Sequence, residues 1–326
     1  MPGPHPAVAL VRSAVRQELG GPGVLVACSG GADSLALAAA VAFEASRPDG
    51  CPYGLVTVDH GLQPGSAEQA ERVAALGYEL GFDPVEVVRV EVGTAGGPEA
   101  AARTARYRAL DALAESLDRF VLLGHTLDDQ AETVLLGLAR GSGTRSLAGM
   151  AQRQGRLLRP LLGVRRADTE AACREAGLEP WSDPHNADPS YSRSRLRAAL
   201  GTLEDVLGPG LPEALARTAE LCRADADLLD ALAARVLADA SQDGGLTATT
   251  LQEAHRALRD RAVLTWLRRE GVADVSAGHV RAVAELVTGW RGQLGVDVPG
   301  ARVVREGGLL RVLREVVPEP GSPRQD

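Results

Sequence analysis

The amino-acid sequence predicts an α/β protein in which a doubly wound, parallel, five-stranded sheet is followed by a smaller α-rich domain. From about residue 23, short β-rich runs alternate with stretches rich in Ala, Leu, Glu and Arg, which is typical of parallel strands joined by crossover helices. From about residue 213 to 270, helical patterning continues without β-rich runs between the helices. The 326 residues suffice for two domains.

The predicted sheet domain contains five strands and five helices. The strands are predicted at residues 24–27, 55–59, 85–92, 120–123 and 157–162. The helices are predicted at residues 34–46, 67–80, 98–117, 129–138 and 167–176. In a doubly wound sheet of order 3-2-1-4-5, strands one and four are neighbours, and ligands bind in the crevice at their carboxyl ends.

A glycine- and proline-rich stretch, G-P-G-L-P, marks the predicted domain boundary. We therefore expect a sheet domain over residues 1–210 and a smaller helical domain over residues 211–326. Alternating apolar residues near the carboxyl terminus predict one hairpin, which turns at Glu306, Gly307 and Gly308. The last nine residues, P-E-P-G-S-P-R-Q-D, are expected to form a disordered tail.

The composition excludes several classes of enzyme. The sequence contains no lysine, so all 35 Lys and Arg residues are arginines. A Walker A loop needs a lysine on the phosphates and a pyridoxal enzyme needs a Schiff-base lysine, so the chain belongs to neither class. The net charge of −8 argues against nucleic-acid binding through overall charge, so such binding would depend on local arginine clusters.

The cysteines and the apolar segments indicate the compartment in which the protein is expected. The four cysteines, Cys28, Cys51, Cys173 and Cys222, form no C-x-x-C pair, so neither a zinc site nor a disulfide framework is expected. No segment approaches the roughly 20 apolar residues of a membrane helix, and the amino terminus does not resemble an export signal. We expect a cytoplasmic protein with no membrane partner.

The first candidate site is the loop that follows the first predicted strand. Its two glycines allow successive N–H groups to converge at a helix amino terminus, which favours binding of a phosphate. An aspartate inside such an anion site needs a bridging cation, for which magnesium is the natural choice. The alternative is a strand-to-helix turn in which Asp33 or Ser34 only caps the helix. The loop consists of Ser29, Gly30, Gly31, Ala32, Asp33 and Ser34.

The second candidate site is G-H-T-L-D-D-Q-A-E-T, which follows the fourth predicted strand. Asp129 and Glu132 are three residues apart, so on a helix they share a face, and His125 precedes them. Two carboxylates this close need a cation, either a metal ion or a substrate ammonium. Read alone, the acidic residues could instead be helix-capping groups favoured by the helix dipole.

Three further segments are weaker candidates. Asp59 and His60 end the second strand, where side chains often reach the adenosine part of a nucleotide, although an ordinary surface histidine is an equal alternative. Arg103 and Arg106 share a predicted helical face with Glu99, either as ligand-binding residues or as a surface ion pair. The last segment combines D-P-H-N with alternate arginines, whose guanidinium groups suit phosphates; these are Arg193, Arg195 and Arg197.

Taken together and in this order, the motifs resemble the tRNA(Ile)-lysidine synthetase family of the PP-loop ATP pyrophosphatases. The resemblance rests on S-G-G-A-D-S, V-D-H-G-L, E-A-A-A-R-T-A-R-Y, G-H-T-L-D-D-Q-A-E-T, R-G-S-G-T-R-S-L-A-G-M and the run from D-P-H-N to R-S-R-L-R. It covers roughly residues 23–200. The sequence departs from the family pattern at Ser194, where the family has Asn, and at Gln63, where it has Arg.

The resemblance implies a Rossmann-like PP-loop domain that uses ATP and Mg²⁺ to adenylate the wobble cytidine of the isoleucine tRNA with a CAU anticodon. Free L-lysine then displaces AMP to give lysidine, and decoding changes from AUG to AUA. It also implies a homodimer and a carboxy-terminal domain that contacts tRNA.

Residue roles follow from the same resemblance. The loop from Ser29 to Ser34, with Asp59, His60 and Arg103, would bind ATP. Asp33 and Asp129 would hold the metal, Asp129 and Glu132 the lysine amine, and His125 the adenylated intermediate. The expected tRNA contacts are Arg106, Arg140, Arg145, Arg193, Arg195 and Arg197.

Two alternatives from related chemistry stay open at this point. A tRNA thiolase of the same superfamily adenylates a similar carbonyl, but such enzymes commonly rely on paired cysteines, which this chain lacks. A small-molecule amide synthetase would leave the arginine clusters without a purpose. A nucleotide-binding regulator without enzymatic activity would not need carboxylates crowded beside the phosphate loop.

Overall fold

The computed structural model describes residues 3–61, 65–93, 97–141, 143–181 and 192–314. It divides into two compact units, Met1–Arg223 and Ala224–Asp326. The elements of the first unit are, in chain order, α1 (Pro6–Arg16), β1 (Val24–Ala27), α2 (Ala32–Ala45), β2 (Tyr53–Asp59), α3 (Ser66–Glu79), β3 (Val85–Arg89), α4 (Pro98–Ser116), β4 (Phe120–Leu123), α5 (Leu127–Ala139), α6 (Thr144–Leu147), β5 (Arg153–Gln154), β6 (Leu157–Leu158), a 3-10 helix (Pro160–Gly163), α7 (Arg166–Glu175), α8 (Ser192–Leu207) and α9 (Leu211–Ala240), which continues into the second unit.

The first unit is built on a sheet whose order among the described residues is β3-β2-β1-β4-β6-β5. The first five strands in this order are parallel, and β5 pairs antiparallel with β6. β1 lies in the centre, with Val24 opposite Tyr53 of β2 and Phe120 of β4. The predicted doubly wound sheet is therefore confirmed, and strands one and four are neighbours.

Helices cover both faces of this sheet, as its apolar strands require. On one face, Leu35 and Leu37 of α2 pack into the same buried cluster as Val26 of β1. On the other face, Leu110 of α4 packs with Leu25 of β1 in a second buried cluster. Burial on both faces explains why the strands are nearly continuous apolar runs rather than alternating ones.

The prediction was wrong in part for the fifth strand. Only Leu157–Leu158 pairs with β4, and the chain then enters the 3-10 helix at Pro160. Proline has no N–H and a fixed φ, so a central strand does not continue through it. The sequence also did not predict α1, which begins at Pro6 behind the capping side chain of His5.

The second unit contains more β-structure than the sequence predicted. Its own core includes Leu237, Trp266 and Leu310. The prediction of no strands between residues 213 and 270 was wrong, because β7 and β8 lie within that range. The elements are β7 (Ser241–Gln242), β8 (Gly245–Thr247), α10 (Ala248–Glu253), α11 (Arg256–Arg269), α12 (Ala277–Thr288), β9 (Val296–Val298), β10 (Ala301–Glu306) and β11 (Leu309–Leu313).

The predicted carboxy-terminal hairpin is confirmed as β10 and β11. They pair antiparallel, and the turn residues Gly307 and Gly308 have φ of +56° and +84°, which glycine adopts easily. In the described chain the hairpin belongs to a larger antiparallel sheet of order β7-β8-β11-β10-β9. Strands of two or three residues carry too little periodicity to be recognised from sequence, which is why this sheet was not predicted.

Some predictions concern the chain outside these ranges or are untested. The predicted tail and Gln63 lie outside the described residues. The predicted boundary at residues 210 and 211 coincides with the start of α9, whereas the two compact units meet at residues 223 and 224 inside this helix. The functional boundary stays a prediction.

Within the described ranges, every helix is too short or too polar to span a lipid bilayer.

Candidate active site

The loop after β1 is braced by the hydroxyl of Ser34. Ser34 Oγ donates to the carbonyl of Gly31 at 2.9 Å and accepts from the amide of Ser29 at 3.2 Å. Gly31 is the N-cap of α2 and has no side chain to satisfy the first amides of the helix. Neither Asp33 nor Ser34 is therefore the cap, and uncapped amides at a helix amino terminus favour an anion.

Two glycines allow close packing around this loop, one against α3 and the other at the end of β4. Gly30 has a φ of +83°, and a Cβ there would collide with the side-chain nitrogen of Gln69. Gly124 follows β4, and a Cβ there would lie 3.2 Å from the backbone nitrogen of Ser34. The loop and the second motif are thus in direct contact, which only glycine at position 124 allows without displacement of the backbone.

Asp129 has two roles at the start of α5. One carboxylate oxygen, Oδ2, accepts from the amide of Thr126 at 2.8 Å, which together with the Thr126 side chain forms a capping box. The other oxygen, Oδ1, accepts from Nη2 of Arg166 at 2.6 Å. One oxygen of Asp129 therefore caps the helix, as the alternative interpretation of the acidic residues expected. The other oxygen faces the site.

Glu132 is fully buried one turn farther along α5. Its Oε1 accepts from Nε of Arg197 at 2.9 Å and lies 3.4 Å from Nη1 of Arg166. A buried carboxylate is stable only with such charged partners.

Asp33 reaches the same guanidinium from the phosphate loop. Its Oδ2 lies 3.5 Å from Nε of Arg166, and its Oδ1 accepts from the buried hydroxyl of Thr169. Arg166 therefore contacts Asp33, Asp129 and Glu132 at once, and we call these four residues the Arg166 cluster. The sequence alone did not single out Arg166 as a site residue. No sequence spacing marks its role, because Arg166 lies 34 residues after Glu132 and 37 after Asp129.

Burial and the guanidinium act in opposite directions on the two aspartates. Burial raises the pKa of Asp33, and Thr169 and Arg166 offset only part of that rise. Burial also raises the pKa of Asp129, but Arg166 and the Thr126 amide outweigh it, so the net pKa is lowered. At neutral pH, Asp129 is thus an ionised group that Arg166 stabilises.

The residues present fit a magnesium ion bound through phosphate. Asp33 and Asp129 both contact one guanidinium, so a single cation can reach both carboxylates. In the described ranges no three His, Cys, Asp or Glu side chains group as metal ligands. Mg²⁺ on a nucleotide commonly uses only one or two carboxylates and completes its shell with phosphate and water.

His125 lies between β4 and α5 as a neutral imidazole. Burial lowers its pKa from 6.5 to about 3, and Arg159 and Arg106 add to the effect against the opposing charge of Asp129. Its Nδ1 is buried without a hydrogen-bond partner among the described residues. A buried, unpaired ring nitrogen is costly unless a ligand satisfies it, which supports the assignment of His125 to a bound substrate.

The low pKa of His125 predicts a loss of stability in acid. Between pH 6.5 and 3 the unfolded chain binds a proton at this position and the folded chain does not, so stability falls as the pH drops below 6.5. From pH 7 to pH 5, the wild type should lose about 2 kcal/mol more unfolding free energy than His125→Asn. Urea unfolding at both pH values measures this, and equal losses in the two proteins would contradict it.

Gln130 fixes the R-G-S-G segment to α5. Its side-chain amide donates to the carbonyl of Met150 at 2.9 Å and accepts from the amide of Met150 at 2.7 Å. This pair of bonds holds one end of the segment that carries Arg140 and Arg145, whose side chains are both exposed. The segment therefore exposes Arg140 and Arg145 to solvent while Gln130 holds its end at Met150 in place.

Asp59 and His60 lie at the carboxyl end of β2, beside the phosphate loop. Asp59 Oδ1 accepts from the amide of Gly61 at 2.9 Å. Burial raises the pKa of Asp59, but the Gly61 amide, Ser66 and Arg89 outweigh it, so the net pKa is lowered. The Nδ1 of His60 is buried with no partner among the described residues.

The arginines of α4 gather around Tyr107. The Arg103 guanidinium lies 4.8 Å from the centre of the Tyr107 ring, and that of Arg106 lies 5.6 Å from it. Burial lowers the pKa of Arg106, and the positive charges of Arg103 and of Arg193 in α8 lower it further. Arg106 is thus a partly buried cation close to His125, whereas Arg103 is exposed.

The three arginines near residue 195 lie on a helix, so they diverge. Arg197 points to Glu132, Arg195 is exposed and Arg193 is half-buried. The D-P-H-N motif and Tyr191 lie outside the described residues. The last described residue before them is Trp181, whose amide donates to the carbonyl of Gly30 at 2.8 Å. Trp181 therefore lies against the phosphate loop.

Known proteins share both the sequence and the fold of this chain. A family model described as a PP-loop domain matches residues 8–204, and a model described as the TilS substrate binding domain matches residues 246–311. The tRNA(Ile)-lysidine synthase of Thermobifida fusca is 60% identical over 93% of this chain and 96% of its own length.

The chain belongs to the tRNA(Ile)-lysidine synthase family. The family member from Leifsonia xyli is 54% identical over 88% of both chains, and that from Streptomyces coelicolor is 50% identical over 96% of this chain and 99% of its own. This confirms the resemblance predicted from the motifs.

One solved structure shares the fold of a large part of this chain. The U34-tRNA thiolase NcsA from Methanococcus maripaludis matches with a TM-score of 0.57 and 19% identity, over 67% of this chain and 80% of that one. At this identity the likeness concerns the fold alone. In the described part of the present chain all four cysteines are free.

Proposed function

We propose that the chain converts the wobble cytidine of the CAU-anticodon isoleucine tRNA to lysidine, so that the tRNA reads AUA instead of AUG. The observation that carries the proposal is the Arg166 cluster beside the phosphate loop. It supplies carboxylates for a magnesium ion and for an amine at one edge of the sheet, in a chain that belongs to the lysidine synthase family.

In the first step, the cytosine O2 attacks the α-phosphorus of ATP. An O–P bond forms, the bond to the β-phosphate oxygen breaks, and pyrophosphate leaves. The uncapped amides of α2 and the hydroxyl of Ser29 would hold the departing phosphates, and Asp33 and Asp129 would hold Mg²⁺ against them. When bound, Mg²⁺ neutralises the negative charge that develops on pyrophosphate.

In the second step, the ε-amine of free lysine attacks C2 of the adenylated cytidine. A C–N bond forms, the C–O bond to AMP breaks, and the amine loses a proton. Holding this amine neutral at pH 7 costs roughly 4 to 5 kcal/mol, because its pKa in water is near 10.4. We assign the binding and deprotonation of the amine to Asp129 and Glu132, and contact with the adenylated intermediate to neutral His125.

The tRNA would be held by arginines around this edge. Arg140, Arg145 and Arg195 are exposed and suit phosphates. Arg106, whose charge acts on His125, and Arg193 suit the anticodon backbone. Asp59, His60 and Arg103 suit ATP. Arg197 is bound to Glu132, so we propose that it orients this carboxylate. Cytoplasmic location, a homodimer and tRNA contact by the second unit stay predictions.

The proposal is tested by incorporation of labelled lysine into an unmodified transcript of the CAU-anticodon isoleucine tRNA, with ATP and Mg²⁺. A methionine tRNA transcript with the same anticodon is the matched control. Label in the isoleucine transcript alone is the expected result. Release of AMP and pyrophosphate without lysine transfer would contradict lysidine formation and favour another nucleophile, such as the sulfur of a thiolase.

A further inference from the structure

Arg166 occupies the position where the proposed function needs an external cation. Its three nitrogens each face a different carboxylate: Nε is 3.5 Å from Asp33, Nη2 is 2.6 Å from Asp129 and Nη1 is 3.4 Å from Glu132. The side chain is only 18% exposed. One internal guanidinium thus contacts Asp33 and Asp129, which are assigned to the metal, and Glu132, which shares the amine with Asp129.

Internal donors already engage the carboxylate oxygens that would bind these cations. Asp129 Oδ2 accepts from Thr126 and Oδ1 from Arg166. Asp33 Oδ1 accepts from Thr169, and its Oδ2 faces Arg166. An incoming metal ion or ammonium therefore competes with Arg166 for these oxygens.

We infer that Arg166 is the resident counter-ion of the site and determines which cations enter it. The inference rests on the proposed function, because it concerns the carboxylates assigned there to Mg²⁺ and lysine. A buried carboxylate cluster without a cation is strongly unfavourable, so Arg166 stabilises the empty site. A cation binds only when its interactions exceed those of the guanidinium, which favours a divalent ion or an amine with further contacts over a simple monovalent ion.

Arg165 provides a matched control on the same helix end. It has the same side chain and the same charge, but its Nη2 lies 3.2 Å from Asp128 and its Nη1 2.8 Å from Glu213. It contacts none of Asp33, Asp129 and Glu132 among the ion pairs of the described residues. Removal of either arginine changes the net charge by the same amount, so any difference between them reflects the site rather than overall electrostatics.

The test measures thermal unfolding of the full chain with Mg²⁺ alone, with L-lysine alone and with NaCl at matched ionic strength. Arg166→Ala should have a lower Tm than the wild type without added cation. Mg²⁺ or lysine should then raise its Tm by at least about 3 °C more than they raise that of the wild type, because they fill the vacated position. Arg165→Ala should show the wild-type response, and NaCl should not replace Mg²⁺ or lysine.

An equal or smaller cation response in Arg166→Ala would overturn the inference, since it would mean that Arg166 builds the cation site rather than fills it. If Arg166→Ala does not fold, the test uses Arg166→Lys instead, because one ammonium group cannot contact three carboxylates at once. A larger rise in Tm with Mg²⁺ or lysine than in the wild type supports the inference. An equal rise overturns it. Lysidine formation by the wild type is measured in parallel. Its absence would overturn the proposed function, whereas the Tm responses alone decide the role of Arg166.

Discussion

Replacement of Glu132 by glutamine is expected to lower lysine transfer to the tRNA by at least roughly 100-fold. Glutamine keeps the shape of the side chain but cannot accept a proton from the lysine ammonium. The first step does not need this carboxylate, so adenylation should continue to a burst of about one pyrophosphate per enzyme. Rapid-quench measurement of pyrophosphate and of labelled lysine in tRNA separates the two steps.

Loss of the Glu132 charge also affects stability, so the experiment needs a control that loses a similar ion pair elsewhere. Glu132 is fully buried, and its removal leaves Arg197 and Arg166 with one fewer partner, at a cost of about 3 kcal/mol. Glu44 is also buried and is held by Arg16 and Arg47. Glu44→Gln should lower Tm but leave lysine transfer within about twofold of the wild type. Lysine transfer at the wild-type rate in Glu132→Gln would refute the role assigned to Glu132.

Replacement of Asp33 by asparagine is expected to reduce the first step, with a loss of tRNA-dependent pyrophosphate release of at least roughly 100-fold. Asparagine can still accept from Thr169, so the local structure should persist. It lacks the negative charge that would hold Mg²⁺ against the phosphates. Pyrophosphate release in a single turnover with saturating ATP and tRNA measures the effect, and no burst should appear.

Asp128→Asn is the matched control for Asp33→Asn. Asp128 lies beside the Arg166 cluster, but its oxygens accept from the amide of Arg166 and contact Arg165 rather than the catalytic side of the site. The asparagine oxygen can keep the bond from the Arg166 amide. Its NH2 group replaces the oxygen that faces Arg165, so the variant loses that ion pair, which lies away from the catalytic side of the site, and pyrophosphate release should change little. If Asp33→Asn released pyrophosphate as fast as Asp128→Asn, the metal would have to be held by other groups, and the assignment of Asp33 would be wrong.

Much of the first unit follows from local sequence. β1 and β4 lie at the predicted residues, and the helices after β1, β2 and β3 begin within two residues of their predicted starts. These elements are predictable because strands buried on both faces form uninterrupted apolar runs, and glycines at loop positions mark the turns between strand and helix. The same local signals located the phosphate loop and the H-T-L-D-D-Q-A-E-T motif.

The sequence alone therefore determined the fold class of the first unit, the family, and the two motifs that meet at the carboxyl edge of β1 and β4. Only the tertiary structure decided how their charges are balanced. Arg166 comes from α7 and Arg197 from α8, and both reach Glu132 from distant parts of the chain. Which carboxylate an arginine binds depends on which one lies within reach of its long, flexible side chain in the folded protein. No periodicity or spacing in the sequence encodes that proximity. For the same reason, the sequence assigned Arg197 to tRNA, and the structure places it against a buried carboxylate.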